Sequence, residues 1–183
     1  GWAKNQRVFF AAEFSDPIQN YKIADSTSTL TKTENYQGKY LRTQLEFGAI
    51  ENLKIKVGLS TANEAGAIAS LKEIPNWDFE QTKKAANDLW EKELSKIVIQ
   101  TPDEDLKKIF YTSLYRTCLA PVKMSDNNGN YKGVDNKIHT AKGFTKYGIF
   151  SLWDTFRAAN PLYTITQKDK VNDFVKSLLS HYE

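Results

Sequence analysis

The sequence predicts an α+β chain in which antiparallel strands come first and helices follow. Two patterns carry that expectation. Up to about residue 60 the apolar residues cluster in β-forming runs or alternate with polar ones, and beyond it they recur at helical spacing. A third observation is the abrupt change of texture after Ser60, where an alanine-rich stretch, Ala62 to Leu71, replaces the alternating pattern.

Three strands are expected in the first part. Arg7 to Phe14 is rich in β-formers, Tyr40 to Phe47 alternates in part, and Leu53 to Leu59 alternates cleanly, which points to a sheet with one wet face. The polar stretch Asp25 to Thr33 reads as a long loop or an exposed hairpin. Ala62–Leu71 and Asp78–Leu94 read as two helices. Pro75 ends the first, and an Asp or Asn of Asn76-Trp77-Asp78 caps the second. A short β-like piece, Lys96–Gln100, precedes Thr101-Pro102-Asp103-Glu104, a cap residue, a proline at the first helical position and acids facing the positive helix end. That helix carries Leu106, Ile109, Phe110 and Leu114 on one side and stops near Pro121. Asp126–Asn130 contains an Asn-Gly step and predicts a turn joining Val122–Ser125 to Tyr131–Gly133 as a hairpin. Gly143–Phe150 reads as extended. Ser151 then caps a helix from Leu152 to about Asn160, and a last helix covers Gln167 to His181. The end of that array admits two readings from periodicity alone, a truncated helical array or a complete α+β domain.

The bulk properties exclude several classes. No run approaches the roughly 20 apolar residues of a membrane-spanning helix, and the net charge of +3 is dispersed, with no nucleic-acid patch. Gly1–Arg7 lacks the apolar core of a secretion signal. The single cysteine, Cys118, precludes an intrachain disulfide and a cysteine-rich metal site, and its apolar neighbours suggest a small buried hydrophobe. Aromatic residues make up 13% of the chain, a content that serves core packing and sugar stacking equally well.

The run Ile149-Phe150-Ser151-Leu152-Trp153-Asp154-Thr155-Phe156-Arg157, followed by Asn160-Pro161-Leu162-Tyr163, resembles a signature of glycoside hydrolase family 92, the calcium-dependent exo-acting α-mannosidases. Arg7–Ser15, Ile74–Phe79, Leu94–Ile97, Lys108–Tyr115 and Lys132-Gly133 resemble that family in the same order. The resemblance implies a β-sandwich joined through a helical linker to an (α/α)6 barrel. Residues 1–61 would then be the last strands of the sandwich, 62–95 the linker, and 96–183 the first helices of an incomplete barrel. It also implies a parent enzyme acting on mannose-containing glycans with calcium, in a periplasm or at a cell surface, with the remainder of the polypeptide as the partner of this piece.

Inverting hydrolysis needs two carboxyl groups about 6.5–9.5 Å apart. None of this chain's acids sits in a family motif for the catalytic acid or base, so no catalytic residue and no metal ligand is assigned here, and the piece alone is expected to be inactive. Asp126–Asn130 superficially resembles a calcium loop but lacks the later glutamate, which favours a plain turn. The substrate-binding candidates are Trp153, as a flat face for a pyranose, and Asp154 and Arg157, as charged partners for hydroxyls. The resemblance implies that Asp154 lies in the mannose pocket. The competing account makes Asp154 a helix cap paired with Arg157, with Trp153 in the core. His139 has no evident partner in the sequence, His181 has no evident role, and Trp77 and Trp90 are expected to pack the linker helices onto the sheet. Alternative functions are a noncatalytic carbohydrate-binding module or a purely structural domain.

Overall fold

The computed structural model describes residues 7–26 and 33–181. The middle of the expected loop at Asp25–Thr33 and most of the N-terminal heptapeptide lie outside the described residues. The chain divides into two compact units, one of residues 12–57 and the other of residues 58–183 together with those up to Ala11. Four strands precede the first helix, in the expected order of β then α, and four further short strands lie among the helices, from Val122 to Gly148. Among the described residues eight short strands form two-stranded ladders, and five α-helices occupy the second part.

In the first unit β2 (Asn20–Ala24) runs antiparallel to β3 (Arg42–Glu46), with Asn20 opposite Glu46 and Ala24 opposite Arg42. The Asn20 amide donates to the Glu46 carboxylate at 3.0 Å, and Lys22 lies 3.7 Å away. Together they hold Glu46 below the usual carboxylate range. Pattern alone did not predict β2. Its alternation is only five residues long, and pairing with β3 rather than intrinsic preference defines it. Phe14 and Phe47 pack with ring centroids 5.2 Å apart.

β1 (Phe9–Phe14) pairs with β4 (Ile55–Ser60). The alternation expected of β4 is present, but its faces are reversed. Lys56, Gly58 and Ser60 are buried, whereas Ile55, Val57 and Leu59 are each more than half exposed. The reason lies in α1 (Glu64–Ser70), which sits so close to Gly58 that a Cβ there would collide with the carbonyl oxygen of Ala67. Only a face of small or hydrogen-bonding residues admits that approach. Ser60 uses it fully: its hydroxyl donates to Asp126 Oδ2 at 2.7 Å and accepts from the Ala62 and Asn63 amides. Asn63 caps α1 by accepting from Gly66 N at 2.8 Å.

A single 3-10 turn, Leu71–Glu73, leads past Pro75 to α2 (Phe79–Leu94), capped by Asp78, whose carboxylate accepts from Gln81 N. Lys96–Gln100 is irregular rather than strand, and α3 (Glu104–Thr117) follows. The cap of α3 is Asp103, which accepts from both Asp105 N and Leu106 N, so the helix begins two residues later than Pro102 suggested. Trp90 packs on Tyr115 of α3 at 4.6 Å, helix against helix rather than helix against sheet. Cys118 is half-buried and accepts from the Gln167 amide at 3.7 Å.

The turn at Asp126–Asn130 forms, with Gly129 at φ +84°, but the flanking segments pair elsewhere. β5 (Val122–Lys123) joins β8 (Tyr147–Gly148), and β6 (Asn130–Lys132) joins β7 (Ile138–Thr140), both antiparallel. After α4 (Ala159–Thr166), α5 (Lys168–Leu179) closes the second unit. Phe174 of α5 gathers the rings of Tyr147, Phe150 and Tyr163 edge-on at 4.8, 6.1 and 5.7 Å. The Tyr163 hydroxyl donates toward the carbonyls of Thr117 and Ala120, fastening α4 to the end of α3.

Candidate functional site

The segment after β8 places all three predicted substrate-binding residues. Ile149 takes a positive φ of 60°, Phe150 turns in toward Phe174, and the chain then runs outward. The expected helix from Leu152 to Asn160 is instead a succession of turns. Thr155 Oγ1 donates to Ser151 O, Arg157 N to Asp154 O and Asn160 N to Thr155 O. Ser151 therefore caps no helix. α4 starts at Ala159 and carries Pro161 in its first turn, where the missing N–H has no helical carbonyl to meet.

Trp153 is 87% exposed, with Leu152 and Phe156 exposed beside it. The Asp154 carboxylate stands 3.7 Å from Arg157 Nε, both side chains being largely in solvent, so their mutual attraction is weak. The Arg157 guanidinium lies 5.6 Å from the Phe156 ring centre. Pairing with Arg157 is thus present, but α4 has no side-chain cap. The three side chains project from one turn, giving an apolar plane, a hydrogen-bond acceptor and a planar donor within five residues. Next to them a cleft of about 200 Å³ is walled by Pro121, Phe150, Leu152, Tyr163, Phe174 and Val175.

A second cleft, of about 450 Å³, lies against the β6–β7 hairpin and is lined by Met124, Tyr131, Asp135, His139, Lys146 and His181 among others. His139 does have a partner: Asp135 is 3.0 Å from its Nε2, and the imidazole stacks on Tyr131. The His139 hydrogen bond and the Lys137 backbone N–H hold Asp135 below its ordinary range. Lys146 is buried, and its ammonium donates to Ser177 O and Ser180 Oγ at 2.6 Å each, answering the negative C-terminal end of α5. Burial lowers the Lys146 pKa, and burial with the nearby Lys146 charge lowers that of His181. The Asp135/His139 spacing of four residues across a turn was the available signal; the reach of Lys146 to α5 left none.

Among the described residues no three His, Cys, Asp or Glu side chains come together as a metal site, and no helix is long and apolar enough to cross a membrane. Three carboxyls, Glu46, Glu93 and Asp135, are held down, the direction opposite to that of a proton donor at neutral pH.

No curated protein sequence matches the chain. Among solved structures it is similar to a family GH92 alpha-mannosidase from Bacteroides thetaiotaomicron, at 31% identity and a TM-score of 0.83 over 97% of this chain, and that enzyme is also known in complex with mannoimidazole. A family GH92 inverting mannosidase from Bacteroides thetaiotaomicron VPI-5482 is similar at 27% identity and a TM-score of 0.76 over 88% of this chain. The chain spans about a quarter of the length of these proteins, 25% and 22% respectively. The sequence profile of the glycosyl hydrolase family 92 catalytic domain matches residues 66–183. With the fold and the profile in agreement, the chain belongs to glycosyl hydrolase family 92.

Proposed function

We propose that this chain is part of an α-mannosidase that removes terminal mannose from glycans with inversion, and that Trp153, Asp154 and Arg157 form one rim of its mannose pocket. The observation that supports the reading is the outward projection of all three side chains from a single turn in a chain of this family. The likeness to an alpha-mannosidase known with a sugar-mimicking ligand and to an inverting mannosidase points to the same substrate class. In this reading the Trp153 indole lies along the C–H face of the sugar, Asp154 accepts from its hydroxyls and Arg157 donates to them. The acid and the base of the reaction come from elsewhere in the polypeptide, as do the calcium ligands. A periplasmic or cell-surface location suits an enzyme of glycan breakdown.

Replacing Asp154 by alanine in the full-length polypeptide is expected to lower kcat/KM on aryl α-mannosides at least tenfold, about 1.4 kcal/mol of transition-state stabilisation. Unchanged kinetics would remove Asp154 from the pocket. The 183-residue chain alone is expected to release no aryl alcohol from such substrates, with or without calcium. Turnover above a blank reaction would show that it holds its own proton donor.

A further inference from the structure

Three non-glycine residues take a positive φ among the described residues, namely Tyr40, Asn136 and Ile149. Asn136 is chemically suited to that region, and Tyr40 lies far along the chain from the pocket rim. Ile149 is the β-branched member, the residue type for which a left-handed backbone is most strained. Its side chain is 68% exposed, so burial within the described residues does not offset that strain. Glycine would hold the same φ at no steric cost.

What forces Ile149 into this conformation is visible on both sides. Gly148 is paired with Val122, and Tyr147 is tied to α5 by its backbone N–H, which donates to Ser177 Oγ at 2.8 Å, and by its ring against Phe174. One residue further on, Phe150 packs against the same Phe174 ring. In a continuous strand Tyr147 and Phe150, three residues apart, would face opposite sides; the left-handed backbone of Ile149 between them lets both rings meet Phe174. Beyond it the chain leaves toward Trp153 and Asp154, so the φ/ψ of Ile149 sets the direction of the rim.

A β-branched residue clamped in the small left-handed region has little room to move, whereas glycine at the same place roams over a wide area of φ/ψ space. We propose that Ile149 is a positioning residue, whose strained and therefore narrow backbone conformation fixes the aim of the Trp153–Asp154–Arg157 turn. This rests on the pocket reading given above. Strain persists where the surrounding structure over-determines it, and placement errors on the ångström scale are expensive in transition-state stabilisation.

The test compares Ile149→Gly and Ile149→Val with Asp154→Ala in the full-length polypeptide. Ile149→Gly is expected to lower kcat/KM on aryl α-mannosides about tenfold and to weaken a mannose-mimicking inhibitor, with a melting temperature unchanged or raised. Ile149→Val, which keeps the branched Cβ, is expected to stay within about twofold of the parent. A glycine variant with parental kcat/KM overturns the proposal. So does a loss of activity matched by a fall in melting temperature, since that would make Ile149 a packing residue. If Asp154→Ala impairs the enzyme and Ile149→Gly does not, the pocket stands and only the positioning role falls. If Asp154→Ala is silent, the pocket reading fails first.

Discussion

Gly58→Val is expected to destabilise the second unit by about 3 kcal/mol or more, at the severe end for overpacking. A Cβ on Gly58 would run into the carbonyl oxygen of Ala67 and come within 3.1 Å of Leu71 N and 3.2 Å of the Ala67 carbonyl carbon. All three are backbone atoms, so no side chain can swing aside. The strand or α1 must move. If α1 lifts, Ala67, completely buried, and Ala62, 5% exposed, both lose their cover, and the Ser70 hydroxyl loses its bond to Leu59 O. Equilibrium unfolding in urea measures the loss, and amide hydrogen exchange should show α1 opening first. A change below about 1 kcal/mol would mean that α1 does not rest on β4 as described.

The second large effect is expected at Glu93, in the last turn of α2. Its carboxylate accepts from Lys96 at 2.7 Å, Gln167 at 2.9 Å and Lys170 at 3.2 Å, joining the end of α2 to the start of α5. Burial alone would push this acid up, but the hydrogen bonds from Lys96, Gln167 and Lys170 outweigh it and hold the group down at about 2. The folded state therefore favours the ionised form. Its contribution is present in full above the unfolded pKa of 4.5 and is lost as pH falls toward 2. Discounted for the 23% of the side chain still in solvent, that contribution is about 2 kcal/mol. Glu93→Gln should cost a similar amount at pH 7, lowering the melting temperature by about 4–8 °C, because one amide cannot replace a charge shared between two lysines. The variant should also lose less stability than the parent between pH 5 and pH 2. Parallel acid profiles for the two proteins would show that Glu93 carries no such linkage.

Helices α2, α3 and α5 were legible because each carries an apolar stripe, and an acidic cap precedes α2 at the right offset, whereas the cap of α3, expected at Thr101, is Asp103. The same rules misplaced the helix after Ser151. Ser151 has the residue type of a cap and Pro161 that of a terminator, yet the Phe150–Phe174 contact and the bonds around Asp154 hold the chain in turns until Ala159. Period two in β4 was legible, but its orientation was not, because hydrophobicity says which residues alternate and not which face a neighbouring helix will choose. The hairpin expected across Asp126–Asn130 failed for a related reason. Met124 and Ser125 both donate to the Lys146 carbonyl, a partner more than twenty residues away that no local pattern reveals. For the candidate site, the family motif pointed to Trp153, Asp154 and Arg157, while their outward direction and the strain at Ile149 needed coordinates.

The inverted β4 has a consequence for handling the polypeptide. A strand that turns Gly58 and Ser60 toward a helix presents its three branched aliphatic residues, Ile55, Val57 and Leu59, to water. Row-like greasy surfaces of that kind invite stacking between copies. Solutions of the isolated chain should therefore thicken into aggregates at concentrations its formal charge alone would tolerate, and a charged replacement at Val57 is the place to begin making it tractable.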